Sequence, residues 1–239
     1  MSKLVWDAIG EHFYETGVDH GVLYQVTPAG KYSNGVAWNG LTNVSESPSG
    51  AEPQKQYADN MNYLTMYSAE EYGSTIEAFT YPPEFEQNDG FATPTKGMRI
   101  GQQPRKGFGL CYRTKIGNDT VGDDFGYKLH LVYGCRASPS ERGYATINDS
   151  PEAITFSWEI STTPVQVEGY EPTSQIIIPS TDFESTEEKT KLTLLENVLF
   201  GTDGEGQSAT GTIPTLPLPE VVEKILDGTI TTIEAALAA

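Results

Sequence analysis

Two long stretches in the middle of the chain alternate apolar and polar residues with a period of two, as in a β-strand that buries one face. They cover residues 108–116 and 127–136, and the connection at 117–126 consists largely of Asn, Asp and Gly, which tolerate tight turns. The pattern predicts a long β-hairpin with one apolar and one basic face. Four cations of the predicted basic face are candidates for a subunit interface: Arg113, Lys115, Lys128 and Arg136.

Further alternating stretches predict that the fold is mainly β. The clearest is 154–163, where Phe156, Trp158 and Ile160 share one face. Shorter stretches lie at 36–47, 61–68, 74–81 and 176–178, between segments rich in Pro, Gly, Asn and Asp. Many short strands separated by turn signals favour a β-sandwich.

The pattern changes to a helical period at about residue 184. Ser185 and Glu188 form a capping box for a helix that should run to Phe200. Beyond it we expect a flexible linker at 201–211, an extended segment at 212–219 and short helices at 219–226 and 231–238. We therefore divide the chain into a β-sandwich domain, residues 1–183, and a C-terminal arm, residues 184–239. The arm's apolar stripes are too small to form a core alone, so it must dock on its own body or on a neighbouring copy.

The charge balance narrows the range of partners. The chain has 15 basic and 33 acidic residues, a net charge of −18, which disfavours tight binding of nucleic acid or of an anionic membrane. Residues 96–142 hold nine bases and four acids, whereas both flanking regions are strongly acidic. This block is either solvated surface or one side of a head-to-tail contact between copies. Residues 1–10 are too polar and short for a signal peptide or membrane span, and we expect neither.

No pattern in the sequence indicates catalysis. We find no GxSxG, HExxH, P-loop or paired CxxC motif, and we expect no catalytic, cofactor-binding or metal-binding residues. The acidic turn around Asn118 and Asp119 lacks the spacing of a calcium loop and is better explained as a solvated turn. His130 is expected to be an ordinary surface or interface residue.

The two cysteines are predicted to be free thiols. In the predicted hairpin Cys111 lies on the polar face and Cys135 on the apolar face, so they cannot bridge across paired strands. Free thiols are consistent with a reducing cytoplasm.

Several long segments resemble the major tail protein, or tail tube protein, of long non-contractile-tailed bacteriophages and prophages of Gram-positive bacteria. The segments are GVAWNGLTNVSESPSGAEP (35–53), YADNMNYLTMYSAEEYGSTIEAFTYPPEFEQNDG (57–90), IGQQPRKGFGLCYRTKIGND (100–119) and YKLHLVYGCRASPSERGYATINDSPEAITFSWEISTTPV (127–165). Together they cover most of residues 12–183. They are ordered blocks rather than a short motif, so the resemblance is specific.

The resemblance implies a structural virion protein. Tail tube proteins form rings of six identical subunits that stack into a hollow tube, through which the genome passes without specific binding. The resemblance implies a β-sandwich or half-barrel with a small flanking helix, no catalytic residues and no cofactor. It also implies assembly in the host cytoplasm, location in the virion tail, other tail proteins at the tube ends and no membrane partner.

Two other interpretations stay open at this stage. One is a tube protein of a related contractile or secretion machine, which a sheath partner would distinguish. The other is a ligand-binding β-sandwich, in which exposed Trp and Tyr form a platform, although Trp6, Trp38 and Trp158 are scattered along the chain. On the tail-tube interpretation the basic hairpin face contacts an acidic neighbour, and charge reversal of Arg113 and Lys115 should block assembly.

Overall fold

The structure is a computed structural model, and it describes residues 4–147, 149, 152–203 and 211–239. Residues 148, 150 and 151 of the predicted turn and the larger part of the predicted linker at 201–211 lie outside the described residues.

Strands dominate the chain, and helices follow them at the C-terminal end. The strands, in chain order, are β1 (Phe13–Val26), β2 (Tyr32–Ala37), β3 (Leu41–Glu46), β4 (Ser49–Gly50), β5 (Pro53–Ala58), β6 (Met61–Tyr67), β7 (Glu70–Glu71), β8 (Gly73–Ala78), β9 (Phe108–Asn118), β10 (Gly122–Ala137), β11 (Phe156–Thr162), β12 (Val165–Val167), β13 (Tyr170–Thr173) and β14 (Gln175–Pro179). The helices are α1 (Thr186–Phe200), α2 (Pro219–Leu226) and α3 (Ile233–Ala238), with 3₁₀ turns at Pro83–Gln87 and Ser180–Asp182. The prediction of a mainly β fold with flanking helix is confirmed.

One large antiparallel sheet organises the molecule, in the order β2-β1-β9-β10-β11-β8-β3. The long strand β10 has two partners along the edge away from β9: residues 128–132 pair with β14, and residues 135–137 pair with β11. The sheet therefore branches at Gly134, whose φ of +62° is a conformation that favours glycine.

The central hairpin β9–β10 forms as predicted, but its faces differ from the prediction. The prediction places the apolar residues of the two arms opposite each other. The observed pairing is shifted by one residue from that register, so Tyr112 lies opposite His130, and Cys111 lies opposite Leu131. Each face then carries apolar residues, and both faces of the hairpin are buried along its middle. The prediction of one apolar and one basic face is wrong because the hairpin lies in the centre of the sheet and is covered on both sides.

Two separate cores cover the two faces of the sheet. The helix-side core joins sheet residues such as Tyr24, Leu131 and Tyr133 to α1, α2, α3 and Leu216. The aromatic core, on the other face, packs Trp38, Phe85, Phe108, Tyr112 and Trp158 with aliphatic residues of β1, β8 and β11. Tilted and edge-on ring contacts fix this second core, with Trp38 and Phe85 centroids 4.6 Å apart.

Helices α1 and α2 begin where the sequence predicts, and α3 begins at Ile233, two residues later than predicted. Ser185 accepts a hydrogen bond from the Glu188 backbone N–H, and the Glu188 side chain accepts one from the Ser185 N–H, which forms the capping box of α1. The segment at 212–218 then runs beside β2, where the Gly35 N–H donates to the Pro214 carbonyl over 2.9 Å. Leu216 is 1% exposed, so this segment docks on the chain's own body. The domain boundary at 183 stays a prediction.

None of the helices in the described ranges is both long and apolar enough to cross a membrane.

Candidate assembly surfaces

The hairpin formed by β5 and β6, residues 53–67 (the 53–67 hairpin), projects from the body and buries almost nothing. It forms a two-stranded sheet of its own, carried on the short β4–β7 pair. Thr65 is partly buried, and the other strand residues of the hairpin are exposed. An isolated two-stranded hairpin is marginally stable in water, so this element needs a surface to cover it.

Apolar side chains lie on both faces of the 53–67 hairpin. Leu64 and Met66 pair across the strands with Gln56 and Gln54 and share one face with them. Tyr63 and Tyr67 alternate with these residues along β6 and therefore lie on the other face, where they are 70% and 71% exposed. A hairpin that is apolar on both faces suits insertion between two surfaces better than packing on one.

The sequence pattern at 61–68 predicts a strand but does not reveal that the strand is exposed. Residues 48–57 lie between two predicted strands, in one of the segments expected to be a connection, but β4 and most of β5 form there. The available signal was that residues 61–67 are apolar or aromatic at both odd and even positions. Such a strand has no solvent face, yet within the described residues its only partner strand is β5.

A partly buried polar cluster lies at the root of this projection, where β3 ends at Glu46. The carboxylate of Glu46 accepts hydrogen bonds from the Tyr112 hydroxyl and the Gln175 amide, each at 2.5 Å. His130 Nδ1 lies 3.5 Å from the same carboxylate. The His130 ring, followed by Tyr112 and Gln175, lowers the pKa of Glu46 to about 2, against partial burial, which raises it.

His130 is not the surface residue that the sequence suggested. It is 6% exposed, stacks on the Tyr112 ring with 4.5 Å between centroids, and hydrogen-bonds with Thr114 through Nε2 at 3.0 Å. Because the pairing of β9 and β10 is offset, its side chain falls among buried residues. Burial also raises the pKa of Tyr112, which therefore stays a hydrogen-bond donor to Glu46.

The four predicted interface cations do not share one face. Arg113 pairs with Leu129 of the helix-side core, and Lys115 pairs with Tyr127 on the same face, whereas Lys128 pairs with Thr114 on the opposite face. Arg136 is exposed near the end of β10. The prediction that the four cations share one basic face is therefore wrong. The reason is again the pairing of β9 and β10, which is shifted by one residue. The role of these residues in an interface stays a prediction.

Two of the four cations already have partners within the chain. Arg113 donates to both carboxylate oxygens of Asp19, at 2.7 and 3.0 Å, and its guanidinium lies 4.9 Å from the centre of the Tyr127 ring. The Arg113 guanidinium lowers the pKa of Asp19. Lys128 pairs with Glu15. Charge reversal at Arg113 would therefore break an internal ion pair, and Lys115, on a cleft of about 570 Å³ beside α1, is the cleaner site for that test.

Both cysteines are free and fully buried, as predicted for free thiols. They lie on opposite faces of the sheet, with Cys111 in the helix-side core and Cys135 in the aromatic core. Cys111 is thus not on a polar face. Burial raises the pKa of Cys111 to about 12 and raises that of Cys135 as well, so both thiols stay protonated and poorly reactive at neutral pH.

The acidic turn between β9 and β10 has a structural role. The Asn118 side chain accepts from the backbone N–H groups of Thr120 and Val121, at 3.2 and 2.7 Å, which closes the turn. Asp119 accepts from the Gly10 N–H and contacts His12, which ties the N-terminal segment to the turn. Within the described residues, no cluster of three or more His, Cys, Asp or Glu side chains is arranged to hold a metal ion.

Comparison with known proteins identifies no family for this chain. No protein-family model matches it, and no curated protein matches it. Among solved structures, it is similar to a chain in the six-fold symmetrised cryo-EM structure of the anti-feeding prophage baseplate. The match has 8% sequence identity and a TM-score of 0.35, and it covers 73% of this chain and 97% of that chain. A similarity this low carries no argument about this chain's function.

Proposed function

We propose that the chain is the structural subunit of a phage tail tube, in which rings of six identical subunits stack into a hollow conduit for the genome. The observation that carries the proposal is the 53–67 hairpin, which is exposed, projecting and apolar on both faces. Such an element is stable only when other surfaces cover it. A polymer of identical copies provides those surfaces in every repeat.

The dimensions of the hairpin suit a contact between subunits. Its longer strand, Met61–Tyr67, has seven residues, which corresponds to a reach of about 20 Å. That reach is enough to pass from one subunit across the surface of the next. The hairpin continues from the short β4–β7 pair, and Glu46, three residues before β4, is hydrogen-bonded to Tyr112 of the large sheet.

The charge of the chain suits a passive conduit. A net charge of −18 repels DNA on average, so the polymer would slide through the tube without being held. The proposal needs no cofactor and no catalytic residue. It places the protein in the virion tail after assembly in the host cytoplasm, with other tail proteins at the ends of the tube and no membrane partner.

Negative-stain electron microscopy of the purified, concentrated protein at moderate salt tests this proposal. We expect hollow rings or tubes with six-fold end views. Compact monomers at every concentration would contradict self-assembly. A tube subunit of a contractile or secretion machine would give the same images, and co-purification with a sheath protein would distinguish it.

The rival interpretation as a ligand-binding module loses the tryptophan part of its platform in the structure. Trp38 and Trp158 are 3% and 0% exposed in the aromatic core, whereas Trp6 is 74% exposed on the N-terminal segment. The three tryptophans therefore cannot form one exposed surface.

A further inference from the structure

A groove with an acidic rim lies between the β12–β13 hairpin and α2. Its volume is about 530 Å³. The walls are largely apolar and include Val167, Ile176, Val222 and Leu226. Glu171, Glu223 and Asp227 also line it, and the lining includes no basic residue. The groove therefore suits a ligand segment that combines an apolar side chain with a positive charge.

A projecting segment of the same chain has this combination. Residues 92–100, here called the finger, are closed at the base by two hydrogen bonds between Ala92 and Ile100, at 2.9 and 2.8 Å. Arg99 pairs with Glu86 at 2.9 Å, which fixes the finger to the body. The tip exposes Lys96 and Met98, and Met98 is 50% exposed. From Phe91 to Asn118 the chain contains no acidic residue.

We propose that the finger of one copy docks in the groove of the next copy, with Met98 against the apolar walls and Lys96 beside Glu171 and Glu223. This inference rests on the proposed function, because it requires that copies of the chain assemble. The sequence raised the possibility of a head-to-tail contact between a basic region of one copy and an acidic region of the next. In this proposal the basic surface is the finger, and the acidic surface is the rim of the groove.

The positions of the two surfaces explain why the contact forms between copies. The finger is attached to the 3₁₀ turn at Pro83–Gln87, whose Phe85 packs in the aromatic core. Val222 and Ile176 of the groove belong to the helix-side core, on the other face of the sheet. A chain therefore cannot fill its own groove. A contact between two different surfaces is heterologous, and such contacts close into rings or continue as filaments.

Cross-linking between two cysteine variants tests the contact directly. The native cysteines are fully buried, so a bismaleimide reports on the introduced thiols. We expect Met98→Cys chains mixed with Glu223→Cys chains to give a cross-linked heterodimer, and each variant alone to give little product. As a control, Met98→Cys mixed with Ile147→Cys should not cross-link, although Ile147 is 88% exposed.

A charge exchange provides the second measurement. Lys96→Glu and Glu223→Lys should each weaken association about fivefold per contact, and the two together in one chain should restore it. Both residues are exposed, so neither substitution should impair folding. A matched exchange at Lys55 and Glu52, on the 53–67 hairpin and just before it, should not show this reciprocity.

The outcomes separate this inference from the proposed function. Tubes without the Met98–Glu223 cross-link would overturn the finger contact and leave the tube subunit standing. A cross-link in small oligomers that never form hollow particles would support the contact and contradict the tube. The absence of both cross-link and particles would contradict both.

Discussion

Glu46 is the side chain that joins the root of the 53–67 hairpin to the centre of the sheet. It ends β3, and its partners come from β9, β10 and β14, so one carboxylate holds three other strands in register. Its folded pKa of about 2 lies below the usual 4.5, which means that the native structure favours the charged form. The stability that this charge provides is present above about pH 4.5 and is lost as pH falls toward 2.

We predict that Glu46→Gln lowers the free energy of unfolding by about 1 kcal/mol at neutral pH, because charge-assisted hydrogen bonds at a partly exposed site are lost. Urea unfolding of both proteins between pH 7 and pH 2.5 measures this. The difference between them should shrink below about pH 4.5, as the native carboxylate begins to lose its advantage. Glu71→Gln, at an exposed carboxylate on β7, is the control and should change little. A difference that is the same at both ends of the pH range would contradict this role of the charge.

Among the elements, the 53–67 hairpin is the one whose structure the isolated subunit does not explain. We predict that Leu64→Ser with Met66→Ser leaves the monomer folded and weakens assembly. Both residues are exposed, at 42% and 58%, so the fold loses little. Burial of each in an interface contributes about 1.5 kcal/mol, so each contact should weaken about 100-fold.

The control for that experiment lies on the same face of the hairpin. Gln54→Ser with Gln56→Ser changes the cross-strand partners of Met66 and Leu64 and keeps the apolar side chains. Light scattering against protein concentration should show a large rise in the concentration needed for assembly in the first variant only. Equal behaviour of both variants would mean that the apolar face is not buried on assembly.

The segment at 212–218 makes the opposite prediction, because Leu216 is already buried in the monomer. Leu216→Ala should lower the free energy of unfolding by about 3 kcal/mol, the usual effect of a cavity at a fully buried leucine. Ile213→Ala, three residues away and 58% exposed, should change it by less than about 0.5 kcal/mol. Chemical denaturation at a dilution where the protein is monomeric makes the comparison. No effect of Leu216→Ala would show that the segment docks on a neighbouring copy rather than on its own chain.

The central hairpin and the helices could be predicted from the sequence, whereas β4, β5 and the surroundings of the hairpin could not. The capping box of α1 and the helix at 219–226 depend on local chemistry, so the local pattern was sufficient. The faces of β9–β10 depend on the pairing register and on what covers each side. A shift of one residue moves every side chain to the other face, and neither the branch at Gly134 nor the second core leaves a local signal. For the same reason the sequence pattern puts the four candidate interface cations on one face and predicts that His130 is a surface residue, and both predictions are wrong.

For the whole molecule, the distribution of charge matters more than its total. A net charge of −18 opposes association of identical chains at any orientation, whereas the finger and the groove attract each other only when correctly aligned. The first effect acts over the Debye length, which is about 30 Å at 0.01 M salt and about 10 Å at 0.1 M. The second acts at contact, where part of the charge is shielded from solvent. Salt should therefore weaken the repulsion more than it weakens the contact.

We predict that raising sodium chloride from about 0.01 M to about 0.15 M lowers the protein concentration needed for assembly. Above about 0.5 M further salt should have little effect, because the repulsion is then screened and the apolar surface of the 53–67 hairpin is unaffected by screening. Light scattering across a salt series measures both parts of the curve. A steady rise of the required concentration with salt would instead show that ion pairs dominate the subunit contacts, and the apolar hairpin would then be secondary to the finger.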